Sequence, residues 1–155
     1  MSLLGSEMMK KEDTCKIFGK CGGCQLLNMP YEKQLKKKKS EVGRLLKPYC
    51  KVEKIIGMEQ PVHYRNKVLA TFSCDRRGVP ISGMYEEKSH RVVPMDNCLL
   101  NDERADKIIV SIRGLLKSFK IKTYNEDTGY GLLRHVLVRV GKNSGQVMVV
   151  LVLAS

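Results

Sequence analysis

The hydrophobic pattern divides the chain into a helical stretch, an alternating stretch, a second helical stretch and a closing pair of strands. Over residues 30–47 the apolar positions Tyr31, Leu35, Val42, Leu45 and Leu46 recur on one face at the 3.6-residue period, which predicts an amphipathic helix. Pro30 sits in its first turn, Glu32 near its positive end, and Pro48 stops it. Residues 52–56 predict a short strand, and residues 57–61 read as a linker, the best internal boundary. From there the period changes to two. Over residues 66–74, Val68, Ala70, Phe72 and Cys74 fall on one face and Lys67, Leu69, Thr71 and Ser73 on the other. Arg76, Arg77 and Gly78 turn the chain, residues 79–85 return it, and residues 90–93 predict a third strand. A second helix is predicted over residues 102–119, capped by Asn101 or Asp102, with a stripe of Ile108, Ile109, Ile112, Leu115, Leu116 and Phe119. Residues 132–140 and 146–153 predict a hairpin. Its second arm, Val147 to Leu153, is continuously apolar, as expected of a strand covered on both faces.

The element order predicts an α+β fold: a mostly antiparallel sheet with one or two packing helices, preceded by a small cysteine-rich segment. The expected organisation is a tag-like or disordered lead over residues 1–13, a cysteine segment with a basic helix over 14–57, and an α+β domain over 61–155. The chain stops directly after its most hydrophobic strand. That strand would be left uncovered, so a truncation is expected, with more protein to follow.

Composition adds a partner. Among 155 residues, 28 Lys and Arg stand against 16 Asp and Glu, a net charge of +12, and a hydrophobic fraction of 43% excludes a wholly disordered chain. Such an excess predicts a polyanion, nucleic acid first, because phosphate neutralisation releases counterions. No apolar run approaches the ~20 residues of a membrane helix. The first 13 residues lack the apolar core of a secretory signal, so a soluble cytoplasmic protein without a membrane partner is expected. Aromatic residues are only 6% and Trp is absent, so no base-stacking sheet is evident. The predicted first helix is strongly basic. Lys33, Lys36, Lys37, Arg44 and Lys47 oppose its apolar face, while Lys38 lies inside the apolar arc and Lys39 at its edge, so those two must snorkel or find a partner.

Six cysteines are present, and Cys15, Cys21 and Cys24 fall in one C-x5-C-x2-C stretch with Gly19, Gly22 and Gly23 between them. In a reducing compartment this spacing suits a metal site, since glycine lets the backbone curl until several sulfurs converge. Cys98, just before the second predicted helix, is the best fourth ligand. Cys50 and Cys74 read as small buried hydrophobes. The spacing leaves zinc and iron–sulfur both open, with one C-x2-C pair where a structural zinc site usually has two.

No catalytic constellation is present: His63, His90 and His135 are isolated, and no phosphate-cradling loop occurs. The residues point to binding and scaffolding. Candidate RNA contacts are Lys36 and Lys37 on the basic helix, Tyr64, Arg65 and Lys67 entering the first long strand, and Arg134 opening the final hairpin.

Taken in order, Cys15, Cys21-Gly-Gly-Cys24-Gln25, a Lys-rich helix, Tyr64-Arg65-Asn66-Lys67, Cys98 and Gly131-Leu-Leu-Arg134-His135 resemble the N-terminal half of the iron–sulfur-containing RNA uracil-5-methyltransferases, bacterial 23S rRNA branch. The resemblance spans residues 15–154. It implies that Cys15, Cys21, Cys24 and Cys98 hold a 4Fe–4S cluster and that the β-rich segment helps cradle folded RNA, with 23S rRNA as the expected partner. It also implies a separate domain, absent here, that binds S-adenosylmethionine and methylates carbon 5 of a flipped-out uracil. This chain alone would then be an inactive, monomeric fragment of an enzyme. The alternatives are a stand-alone zinc-stabilised RNA-binding module and an electron-transfer protein. The latter is disfavoured because nothing here binds a partner cofactor.

Overall fold

The computed structural model describes residues 15–154; the lead expected over residues 1–13 lies outside them. Helix α1 (Tyr31–Leu46) precedes strands β1 (Lys67–Cys74), β2 (Pro80–Tyr85) and β3 (Val92–Pro94). Helix α2 (Glu103–Ser118) then leads to β4 (Leu133–Val140) and β5 (Val147–Leu153). The five strands form one antiparallel sheet in the order β3-β2-β1-β4-β5, the α+β architecture expected from the sequence.

Alternation places the core. Val68, Ala70 and Phe72 of β1 lie beside Leu133, Val136, Val138 and Val140 of β4, and Ala105, Ile109 and Leu116 of α2 cover them. Asp102 caps α2 by accepting from the Arg104 amide at 3.0 Å. Leu115 and Phe119, expected in the stripe, are exposed, because α2 crosses β1, β2 and β4 without reaching further. Just before β4 the chain passes Gly131 at φ 108°, where a Cβ would collide with the Thr123 carbonyl. Only glycine permits that approach, and it lets Leu132 and Leu133 donate to the Lys122 carbonyl.

Three expectations are corrected. Residues 52–56 form no strand. That segment runs back along α1, where Lys39 Nζ donates to the Glu53 carbonyl at 2.7 Å and the Met58 amide donates to the Tyr31 hydroxyl at 2.7 Å. Its backbone is met by helix side chains instead of a sheet edge, and Lys39 has the partner its position demanded. Strand β5 is exposed along its whole length, not covered on both faces. Its register sets Val147, Val149, Leu151 and Leu153 beside the buried residues of β4, yet α2 stops short of them. Cys50 and Cys74 are exposed rather than buried, Cys74 because it ends its strand, where its sulfur meets Thr123 Oγ1 at 3.1 Å.

Candidate metal centre and nucleic-acid interface

The first three cysteines occupy a tight coil. The Phe18 amide donates to the Cys15 carbonyl, and the Lys20 and Cys21 amides to the Ile17 carbonyl, which closes two successive turns. The coil docks on the end of β2, where Cys21 bridges to Glu86 and the Gly22 amide points at the Tyr85 carbonyl. Gly23 packs closely: a Cβ there would stand 3.2 Å from Cys21 Sγ, a tight approach, and 3.7 Å from an Arg65 guanidinium nitrogen, an ordinary one.

Cys98 arrives from the loop between β3 and α2. Its amide donates to Asp106 Oδ2 at 2.7 Å, and its sulfur accepts from the Leu100 amide at 3.5 Å. Asp106 is a buried carboxylate on the core-facing side of α2, and its second oxygen takes a bond from Asn101 Nδ2 at 2.8 Å. Burial pushes its pKa up, opposed by the bonds from Asn101 and the Cys98 amide. Sequence reasoning missed Asp106. The available signal was a carboxylate beside Ala105 and one turn from Ile109, a position that cannot be buried without donors.

Cys15 and Cys98 lie within electrostatic reach of both Cys21 and Cys24. Burial raises the pKa of the Cys21 thiol, opposed by a bond from the Gly23 amide; charge on Cys98 and Cys15 adds to the rise and Arg65 opposes it. Cys24 is raised by burial and then by Cys15, Cys21 and Cys98, again opposed by Arg65. Cys15 and Cys98 also line one recess of about 670 Å³, with His63 and Asp106 on its wall. If all four were deprotonated, their charges would repel one another, and a positive group held among them would relieve that repulsion. Among the described residues no three His, Cys, Asp or Glu side chains stand close enough to hold a single metal ion.

The RNA candidates separate into groups. Tyr64 and Arg65 line a groove of about 370 Å³ with Gln25, Tyr31, Gln34 and Lys38, between the cysteine coil and α1. Tyr64 is exposed, but Arg65 is half-buried and donates through Nη2 to the Gly23 carbonyl at 2.8 Å, so its guanidinium is turned onto the coil. Lys36, Lys37 and Lys67 are exposed and line neither this groove nor the recess.

Arg134 lies elsewhere. A register irregularity between Leu133 and His135 interrupts the alternation of β4, so Arg134 and His135 are both half-buried between the buried Leu133 and Val136. Arg134 stacks 4.6 Å over the Tyr124 ring and pairs with Glu126 at 2.8 Å, beside Tyr85 and His90 in a small cleft. Its Nε and His135 Nδ1 are buried without a partner. Neither Tyr124 nor Glu126 was foreseen, because nothing local in the sequence joins them to Arg134.

No protein-family model matches the chain. It is 38% identical over 157 residues to an "uncharacterized RNA methyltransferase" of Halalkalibacterium halodurans, covering 98% of this chain and 34% of that protein. A protein of the same description from Clostridium acetobutylicum is 40% identical over 150 residues, covering 92% of this chain and 32% of that protein. The chain thus spans about a third of the length of the curated relatives it matches. Among solved structures, a tRNA (uracil-54, C5)-methyltransferase of Pyrococcus abyssi in complex with S-adenosyl-L-homocysteine superposes with a TM-score of 0.70 at 27% identity, over 86% of this chain and 31% of that one.

Proposed function

We propose that this chain is the cluster-binding and RNA-recognition portion of an RNA uracil-C5 methyltransferase. What supports the reading is that the coil of Cys15, Cys21 and Cys24 is tied through Arg65 to the loop of Cys98, far away in sequence, with Cys15 and Cys98 in electrostatic reach of Cys21 and Cys24. Cys15, Cys21, Cys24 and Cys98 would hold a 4Fe–4S cluster. A four-iron cluster keeps its thiolates further apart than the ligands of one ion, so its site need not bring three donors to single-ion distance. With all four positions taken by cysteine such a cluster has no open coordination site, and what it supplies is a rigid cross-link between the coil and the loop before α2. Methyl transfer from S-adenosylmethionine would belong to a domain outside these residues. The relatives are about three times as long as this chain, and the open faces of β5 offer such a domain a place to pack.

RNA recognition would rest on the basic face of α1 with Lys36 and Lys37, on Lys67, on Tyr64 in its groove, and on Arg134. The groove offers the rings of Tyr31 and Tyr64 for stacking, two side-chain amides for base edges and the Lys38 ammonium for a phosphate. The sequence resemblance favours 23S rRNA, in the cytoplasm, while the Pyrococcus neighbour is named for a tRNA. Competition between a 23S rRNA fragment and tRNA for the chain separates these substrates. Iron and sulfide analysis of anaerobically prepared protein tests the cluster: about four irons per chain with brown absorbance are expected. Stoichiometric zinc with no visible absorbance would replace it with a zinc-stabilised RNA-binding module.

A further inference from the structure

Arg65 is tied to both halves of the cysteine site. Its backbone belongs to the half that carries Cys98: the Arg65 amide donates to the Leu100 carbonyl at 2.7 Å, and the Asp102 amide donates to the Arg65 carbonyl at 2.9 Å. His63 adds a third rung through its amide to the Leu99 carbonyl at 2.7 Å, so residues 63–65 run alongside residues 99–102. The side chain belongs to the other half. Nη2 donates to the Gly23 carbonyl at 2.8 Å, and a Cβ at Gly23 would stand 3.7 Å from the guanidinium and 3.2 Å from Cys21 Sγ. One residue therefore spans from the loop of Cys98 to the coil of Cys21 and Cys24, and it sets a permanent cation beside their sulfurs.

We propose that Arg65 is a positioning residue of the four-cysteine site: it clamps the Cys21–Cys24 coil onto the Cys98 loop and compensates the charge of the ligated group, rather than contacting RNA. The inference rests on the cluster reading above. A lysine there keeps the charge but has one point of attachment in place of a planar fork, so clamping and compensation are separable by substitution. The groove that Arg65 shares with Tyr31, Tyr64 and Lys38 keeps both rings and the ammonium without it.

The test compares anaerobically prepared wild type, Arg65→Ala and Arg65→Lys, with far-UV circular dichroism confirming the sheet. Iron loss to a chelator is expected to quicken about 10- to 100-fold in Arg65→Ala, the usual effect of removing a partner that orients metal ligands. Its midpoint potential should fall, because the more negative reduced cluster loses a neighbouring cation. In Arg65→Lys the potential should return toward wild type while iron loss stays fast. RNA affinity measured on iron-loaded protein should change far less than iron retention in both variants. Wild type without iron would overturn the cluster reading. Iron-loaded wild type with variants of equal chelator resistance and equal potential would overturn the role of Arg65 alone, as would a loss of RNA affinity with iron and potential intact. Should Arg65→Ala fail to fold, Arg65→Lys decides: wild-type iron loss in that variant sinks the clamp.

Discussion

The two helices have the same length, 16 residues, and the same kind of apolar stripe, yet only one of them belongs to a core. Helix α2 buries Ala105, Asp106, Ile109 and Leu116 against the sheet, whereas α1 buries nothing and leaves Val42, Leu45 and Leu46 exposed. It is held by the segment that follows it, through Tyr31, Leu35 and Lys39. The sheet with α2 is organised by burial, which is strong and non-directional. The cysteine coil with α1 is organised by a few directed bonds. A region built that way gains rigidity when something binds it, and both candidate functions, cluster and RNA, are placed there.

The contrast is broken most directly by the same substitution in each helix. Leu116→Ala is expected to cost about 2–5 kcal/mol in a denaturant titration, since the side chain is 2% exposed in a filled core. A cost below about 1 kcal/mol would mean that α2 does not anchor the sheet. Asp102→Ala should cost about 1 kcal/mol at pH 7, as loss of a helix cap does. The Arg104 side chain and amide hold the Asp102 carboxyl below its ordinary value, with burial opposing. Its stabilising effect is therefore present above the unfolded carboxylate range and lost as pH falls through the lower folded value. The gap between wild type and Asp102→Ala should close on acidification, and a gap that is constant with pH would discard the cap. Leu45→Ala, at 58% exposure, should change stability by no more than about 0.5 kcal/mol. A larger loss would reveal a hidden partner for α1. Lys36→Ala and Lys37→Ala should leave stability unchanged and each lower the salt slope of RNA binding by about one; unchanged slopes would move the RNA site off α1.

Much of the fold was legible because it is written in local periods. Two-residue alternation placed β1 and β4, the 3.6-residue stripe placed both helices, and the cap was narrowed to Asn101 or Asp102, of which Asp102 fills it. The four cysteines could be grouped from their spacing and their resemblance to a family. The short strand over residues 52–56 failed because five suitable residues do not form a strand without a neighbour, and α1 supplied side chains in place of one. Strand β5 formed where expected, but its pattern shows a demand for cover, and cover is a property of whatever lies opposite.

The amino-acid order alone determined where the two helices and the five sheet strands lie, which faces are apolar, how strongly basic the chain is and which thiols are candidates to meet. Those properties depend on residues a few positions apart. Only the tertiary structure decided that Arg65 reaches Gly23 while its backbone holds Leu100 and Asp102, that Arg134 rests on Tyr124, and that α1 is left uncovered. These are contacts between segments distant in sequence, set by how the sheet and loops pack, and no local period encodes them.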